Sequence, residues 1–209
     1  MTPDQILVPA IGICGTLLGV IVSGVVAEWR ERAKDRRDKY LIGTVIYQEL
    51  WDQSQSVALC ANYVNSFNRV DIGNELPRLS RYYLDHYLPA EPLVYRSLAS
   101  RLHLLGRKAG TLVACYCAIE EAKRSTAKLP EISEQRGPDL HADVRQNHAI
   151  MKWCRASQIT AEALYELKDQ VSGPDGPAGP AAQSNLIGNL RTLGSGATIT
   201  HDIFENPGS

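Results

Sequence analysis

The sequence predicts an all-α protein: a single N-terminal helix of membrane-spanning length, followed by an antiparallel bundle of amphipathic helices. Three observations carry that expectation. Residues 6–27, ILVPAIGICGTLLGVIVSGVVA, hold no Asp, Glu, Lys or Arg. Beyond them, apolar residues recur at steps of three and four, the spacing of one helix face. No alternating apolar–polar run of useful length, the mark of a half-buried strand, lies between residues 28 and 171.

The apolar run comes first. Its 22 residues, at about 1.5 Å each, make a helix of about 33 Å, close to the hydrocarbon thickness of a bilayer. Val25-Val26-Ala27 offers a small-residue cleavage site, but a signal peptide needs a basic region ahead of its apolar core, and the residues before Ile6 contain no Lys or Arg. A retained transmembrane helix is therefore expected over residues 1–28. Thr2, Pro3 and Gln5 read as an N-terminal cap. Pro9 then falls inside the helix and removes one backbone bond, so the helix either bends near Pro9 or starts there.

The chain changes character at Trp29. Arg30, Arg32, Lys34, Arg36, Arg37 and Lys39 follow within a dozen residues, and basic flanks stay on the cytoplasmic side of a membrane. The expected placement is the inner membrane, with the N-terminus outside and the remainder in the cytoplasm. Trp29 suits the aromatic belt at headgroup level, and Arg30, Arg32, Lys34, Arg36 and Arg37 are the expected headgroup contacts. Glu28, Glu31, Asp35 and Asp38 interleave with these bases at helical pairing distances, which dilutes the attraction to anionic lipid. Within the span, Gly12, Gly15, Gly19 and Ser23 share a sector of roughly 80°, with Gly24 well off it. In lipid, close backbone approach at small residues packs helices together, so this side is the expected contact with a second copy or another membrane protein.

A helical bundle is expected over residues 29–171. Ile42, Ile46, Leu50, Val57, Cys60, Val64 and Phe67 line one face of a long helix, interrupted at Gln53. A break with Gly73 and Asn74 follows, then a short helix with Leu79, Tyr82, Tyr83 and Tyr87 that Pro89 stops. Val94, Leu98, Leu102 and Leu105 begin a second long stripe. Gly106 or Gly110 bends or ends it before Leu112, Cys115, Ile119 and Ala122 resume the pattern. Asp139 favours a further helix start, with Gly173-Pro174 as its stop. Residues 172–209 read as a Gly/Pro linker and a tail without fixed structure. Three Gly-Pro-X triplets at 173–181 are too few for a collagen helix and suit a stiff extended linker. Removing the tail from Gly173 is therefore expected to cost little stability.

Chemistry-bearing patterns are sparse. A net charge of −1 in 209 residues argues against nucleic acid as a partner. The Tyr82, Tyr83, Tyr87 and Tyr95 cluster with Arg78, Arg81, Arg96 and Arg101 suits the rim of a bundle better than base stacking. The odd number of cysteines, five, and the expected cytoplasmic placement of the chain beyond the span argue against a disulfide framework. Cys115 and Cys117 are two apart and point in different directions on a helix. His141 and His148, with Asp139 and Asp143, form the most metal-like patch, but their spacing of seven is not that of a zinc pair. Glu120 and Glu121 are adjacent and cannot face one another as an acid/base pair. No catalytic, cofactor or metal residue is assigned.

The apolar span, the Arg-rich turn, Tyr40 to Glu49-Leu50 and VYRSLASRLHLL together resemble uncharacterised bacterial single-pass membrane proteins with a cytoplasmic helical region. The resemblance covers about residues 6–125, implies no activity and carries over no site residue. The expected function is a membrane-anchored helical interaction or scaffolding subunit that self-associates in the bilayer. The alternatives are a membrane-perturbing effector of defence or toxin type whose span assembles into a pore, and a hydrolase or metalloenzyme.

Overall fold

The structure is a computed structural model. It describes the backbone of residues 4–68, 79–131, 140–168 and 180–205, and the side chains of residues 19–67, 79–131, 144–168 and 183–195. The described residues are helical, with no strand among them. Six α-helices run in order: α1 (Asp4–Asn68), α2 (Arg81–Asp85), α3 (Leu93–Leu98), α4 (Arg107–Thr126), α5 (Leu140–Leu167) and α6 (Pro180–Glu205). A 3₁₀ segment, Ala99–Leu105, joins α3 to α4. The chain divides into two compact units, Met1–Leu41 and Ile42–Ser209.

The first unit consists of the N-terminal part of α1. The helix begins at Asp4, so Pro9 lies inside it rather than starting it. Each of residues 19–37 is exposed. The expected transmembrane span is not recovered among the described residues, where no helix is long and apolar enough to cross a membrane. Most of the 6–27 run falls outside the described side chains, which begin at residue 19.

The second unit holds the core, and the stripes read from sequence line it. Ile46, Leu50, Val57, Cys60 and Val64 of α1 are fully buried, while Phe67 packs at the edge. Leu102, Leu105, Leu112, Cys115, Ile119 and Ala122 are buried from the middle of the chain. The break between the two middle stripes falls at Gly106, whose φ of 62° belongs to a region that side-chain-bearing residues rarely adopt. Glycine there lets the tight 3₁₀ segment end and α4 begin at the next residue.

α4 and α5 run antiparallel. Cys115 meets Thr160 at 3.3 Å near one end, and Trp153 donates its indole N–H to Thr126 Oγ1 at 2.9 Å near the other. Trp153 is the largest fully buried side chain, and an indole N–H so deep needs such a partner. Thr126 passes the bond on to the Ala122 carbonyl at 3.2 Å. The short α2 is held at its start by the loop after α4, where Pro130 and Glu131 carbonyls accept the Arg81 and Tyr82 N–H groups at 2.9 and 3.2 Å.

The C-terminal segment corrects an expectation. Residues 180–205 are helical rather than structureless, and α6 packs antiparallel on α5. Ile187 and Leu190 are buried, and Ser157 donates to the Leu190 carbonyl at 2.8 Å. Gly194 is the closest point of approach. A Cβ there would stand 2.8 Å from Gln158 Cβ and 3.2 Å from the Cys154 carbonyl oxygen. Asn65 of α1 ties in the same region, donating to the Leu193 carbonyl at 3.2 Å and accepting from the Cys154 thiol at 3.3 Å. The Gly-Pro-X linker expected at 173–181 lies mostly outside the described residues.

Candidate functional site

Two regions concentrate what this chain offers to a partner or ligand: the exposed N-terminal unit and a polar cluster around Glu49. Val20, Ile21, Val22, Val25 and Val26 are all exposed. At about 100° per residue the five spread over about 240° of the helix rather than along one stripe, and Gly19 and Ser23 lie in the remaining sector. Ser23, on the expected small-residue side, donates its hydroxyl to the Val20 carbonyl at 3.0 Å. Its polar group is thereby satisfied within the helix. Gly19 is open, and a Cβ there would meet nothing within 4 Å. Gly12 and Gly15 lie on α1, outside the described side chains.

The expected headgroup residues follow on the same helix. Trp29 is 71% exposed, and Arg30, Lys34, Arg36 and Arg37 are exposed as well. Arg32 pairs with Glu28 one turn earlier. The structure thus brings all five basic residues and Trp29 onto one exposed helical segment.

The second region is a clasp on the chain that follows α2 and on the first turn of α3. Glu49 of α1 accepts the backbone N–H groups of Val94 and Tyr95 at 2.7 and 2.9 Å, and the Tyr116 hydroxyl at 3.0 Å. Tyr95 stacks on Tyr116 with ring centroids 4.0 Å apart. The Ala90 carbonyl accepts from Gln53 at 3.4 Å and from Lys123 at 3.3 Å, and the Tyr87 carbonyl accepts from the Cys60 thiol at 3.3 Å. Residues 87–95 are therefore fixed by side chains of α1 and α4 at four points. Burial raises the Tyr116 phenol above its ordinary range, and the neighbouring Glu49 carboxylate raises it further. Tyr47 and Gln53 leave one buried oxygen each, Oη and Oε1, without a hydrogen-bond partner among the described residues. Sequence reading noted Gln53 as an interruption of the apolar seam but missed Glu49 and Lys123. The available signal was Glu49's position, three residues after Ile46 and beside the buried face.

The remaining candidates separate. Cys115 is buried and Cys117 exposed, so the pair does not converge. Burial pushes the thiols of Cys60 and Cys115 up to about 12 and that of Cys154 to about 11; Lys123 partly offsets the shift at Cys60, and hydrogen bonding with Thr160 and Asn65 partly offsets those at Cys115 and Cys154. Protonated thiols are poor nucleophiles and poor metal ligands. Glu120 pairs with Lys123 at 3.3 Å and Glu121 with Lys152 at 2.6 Å. Hydrogen bonding to Lys152, and its charge, hold the Glu121 carboxyl below the usual range.

His148 is exposed on α5, while His141 and Asp143 lie outside the described side chains and Asp139 outside the described residues. Among the described residues no three His, Cys, Asp or Glu side chains gather as metal ligands would. The tyrosines form a surface cluster: Tyr82 meets Tyr83 and His86, and Tyr83 meets Tyr63, at centroid distances of 5.5, 5.0 and 5.8 Å. Arg81 beside them is paired with Asp85 at 2.9 Å, and Arg78 lies outside the described residues.

Two hollows accompany these features. A groove of 520 Å³ between α1 and α6 is lined by Gln55, Ala58, Leu59, Asn62, Leu186, Asn189, Thr192 and Leu193. A smaller pocket of 260 Å³ lies beside the Tyr95–Tyr116 stack and is edged by Arg96, Cys117, Glu120, Glu121 and Arg124. Neither presents a nucleophile, base and oxyanion donor converging on one point, the arrangement that covalent catalysis demands. Compared with protein families, curated proteins and solved structures, the chain shows no match.

Proposed function

We propose that this protein is a membrane-anchored helical interaction or scaffolding subunit. Residues 6–27 sit in the bilayer, and the unit from Ile42 onward is held at its cytoplasmic face. The observation that carries this reading is the exposure of Val20, Ile21, Val22, Val25 and Val26 over about two thirds of the helix circumference. Five large aliphatic side chains left in water cost about 1.5–3 kcal/mol each relative to burial. A contiguous apolar surface of that kind marks a membrane or protein contact. Coverage this wide, together with the internally bonded Ser23 hydroxyl, suits lipid better than a single protein groove. The basic residues directly after the span retain their side in the cytoplasm and meet anionic headgroups.

Self-association in the membrane is part of the same proposal, through the Gly12, Gly15, Gly19 and Ser23 side. In the second unit, the polar side chains around Glu49 bond to this chain's own backbone, which suits a shape-presenting subunit. The test is a topology reporter fused after Ser209. One that works only in the cytoplasm should be active and one that works only outside should be silent; the opposite pattern would remove the anchored, cytoplasm-facing placement.

A further inference from the structure

We propose that residues 28–39 form the contact between neighbouring copies of this chain, the acidic side of one helix lying against a basic side of the next. The stretch is helical within α1, and residues 28–37 are each exposed. At about 100° per residue its charges sort into sectors. Glu28, Glu31, Asp35 and Asp38 fall within about 80°. Arg30, Lys34 and Arg37 occupy about 60° on one flank, and Arg32, Arg36 and Lys39 about 60° on the other. Trp29, Ala33 and Tyr40 fill the remaining arc. Pairing along one helix accounts for contacts such as Arg32–Glu28. It does not require all four acids to share one side with bases on both flanks.

That pattern has a ready complement in a helix carrying the same pattern, turned so that acid meets base. An anionic lipid surface favours the two basic sectors but repels the acidic one between them. A second copy satisfies both signs. Exposed ion pairs are individually weak, so the charges select partner and register, as flanking charges do in coiled coils, while packing within the span supplies the hold. The contact rests on the anchored reading, because the bilayer keeps the copies side by side and parallel.

The span fixes how the copies turn. Gly19 and Ser23 lie on the same side of α1 as Arg30, Lys34 and Arg37, whereas Gly24 lies over the middle of the acidic sector. A two-fold contact through Gly19 and Ser23 would set two basic rows against each other, inside the screening length of about 8 Å. Seating that side on the neighbour's Gly24 side sets base against acid instead. The two sides are roughly 110° apart, so the contact is head-to-tail and closes into a ring of about four to six copies rather than a dimer.

The test uses the full chain in its native membrane, with donor and acceptor fluorescent proteins fused after Ser209. Energy transfer reports contact, and photobleaching steps count copies. The acid-reversed variant (Glu31→Lys with Asp35→Lys) and the base-reversed variant (Arg30→Glu with Lys34→Glu) should each lose most of the transfer alone. Expressed together they should regain at least half of it, since reversed acid then meets reversed base. Arg32, Arg36, Arg37 and Lys39 remain in the base-reversed variant, and the cytoplasmic reporter checks that its orientation holds.

Gly19→Leu and Gly24→Leu should both reduce transfer, and a Cβ at either glycine meets nothing within 4 Å, so the isolated helix tolerates both. Single variants that keep wild-type transfer, a mixture that stays silent, or no more than two bleaching steps would each overturn the proposal. A wild-type chain absent from the membrane fraction would instead count against the anchored placement, which separates the two failures.

Discussion

Glu49 accepts three hydrogen bonds from two other segments, and hydrogen bonds to a charged acceptor are worth more than neutral ones. Replacing it by Ala should destabilise the second unit by about 2–3 kcal/mol, read from denaturant unfolding of the detergent-solubilised chain by tryptophan fluorescence. A paired comparison sharpens the point. Tyr116→Phe removes a hydroxyl that Glu49 accepts and should cost about 1–2 kcal/mol, whereas Tyr47→Phe removes a buried hydroxyl without a partner and should be neutral or stabilising. Equal losses for both would contradict the assigned bonding.

The buried thiols give a pH dependence of definite sign. Cys60, Cys115 and Cys154 hold their protons well above the ordinary thiol value in the fold. Stability should therefore be level below about pH 8 and fall from about pH 9 upward, by about 1.4 kcal/mol per pH unit for each thiol that the unfolded chain ionises first. Melting temperatures that rise between pH 9 and 10.5 would refute that burial. None of this polar detail was legible beforehand. An apolar stripe tells which side of a helix is buried, but Glu49's three donors come from residues 45 to 67 positions away in sequence.

At the scale of elements, helix positions were readable because burial follows the stripes. Ile46, Leu50, Val57 and Cys60 sit at the predicted spacing and are fully buried. The choice between Gly106 and Gly110 was not readable, since both glycines fit a break and only the backbone at φ 62° distinguishes them. Gly110 lies inside α4 with open space at its Cβ position, so Gly110→Ala should stabilise by about 0.5–1 kcal/mol. Gly194→Ala should do the opposite, costing about 1–3 kcal/mol, because the new methyl meets Gln158 and the Cys154 carbonyl.

α6 was the element that composition concealed. Its Ile187, Leu190 and Gly194 do follow steps of three and four, but a segment so rich in glycine offers few large side chains to bury. The helix gains its hold from closeness, with a glycine letting two backbones approach. Removing residues 173–209 should consequently lower the melting temperature by several degrees, contrary to the expectation from the tail's composition; an unchanged value would show that α6 contributes nothing to the core.

At the scale of the whole molecule, a buried bundle and an N-terminal helix with exposed apolar residues belong to one chain whose sequence turns from uncharged to densely charged near Trp29. The all-α class and the core faces of the bundle were legible because hydrophobic periodicity reports burial directly. What the bundle presents to others was not, since grooves and pockets arise from helices far apart in sequence, such as Leu59 and Leu193 along one groove. The proposed placement in a membrane rests on residues 6–27 together with the exposure of Val20 to Val26, and it is open to a direct measurement. Alkaline carbonate extraction of membranes from cells expressing the full chain provides it, because high pH strips proteins held by charge and leaves those held by a spanning helix. The chain should stay in the membrane pellet, and deletion of residues 6–27 should move it to the supernatant. Release of the intact chain by carbonate would contradict the anchor, and with it the account of where this protein works.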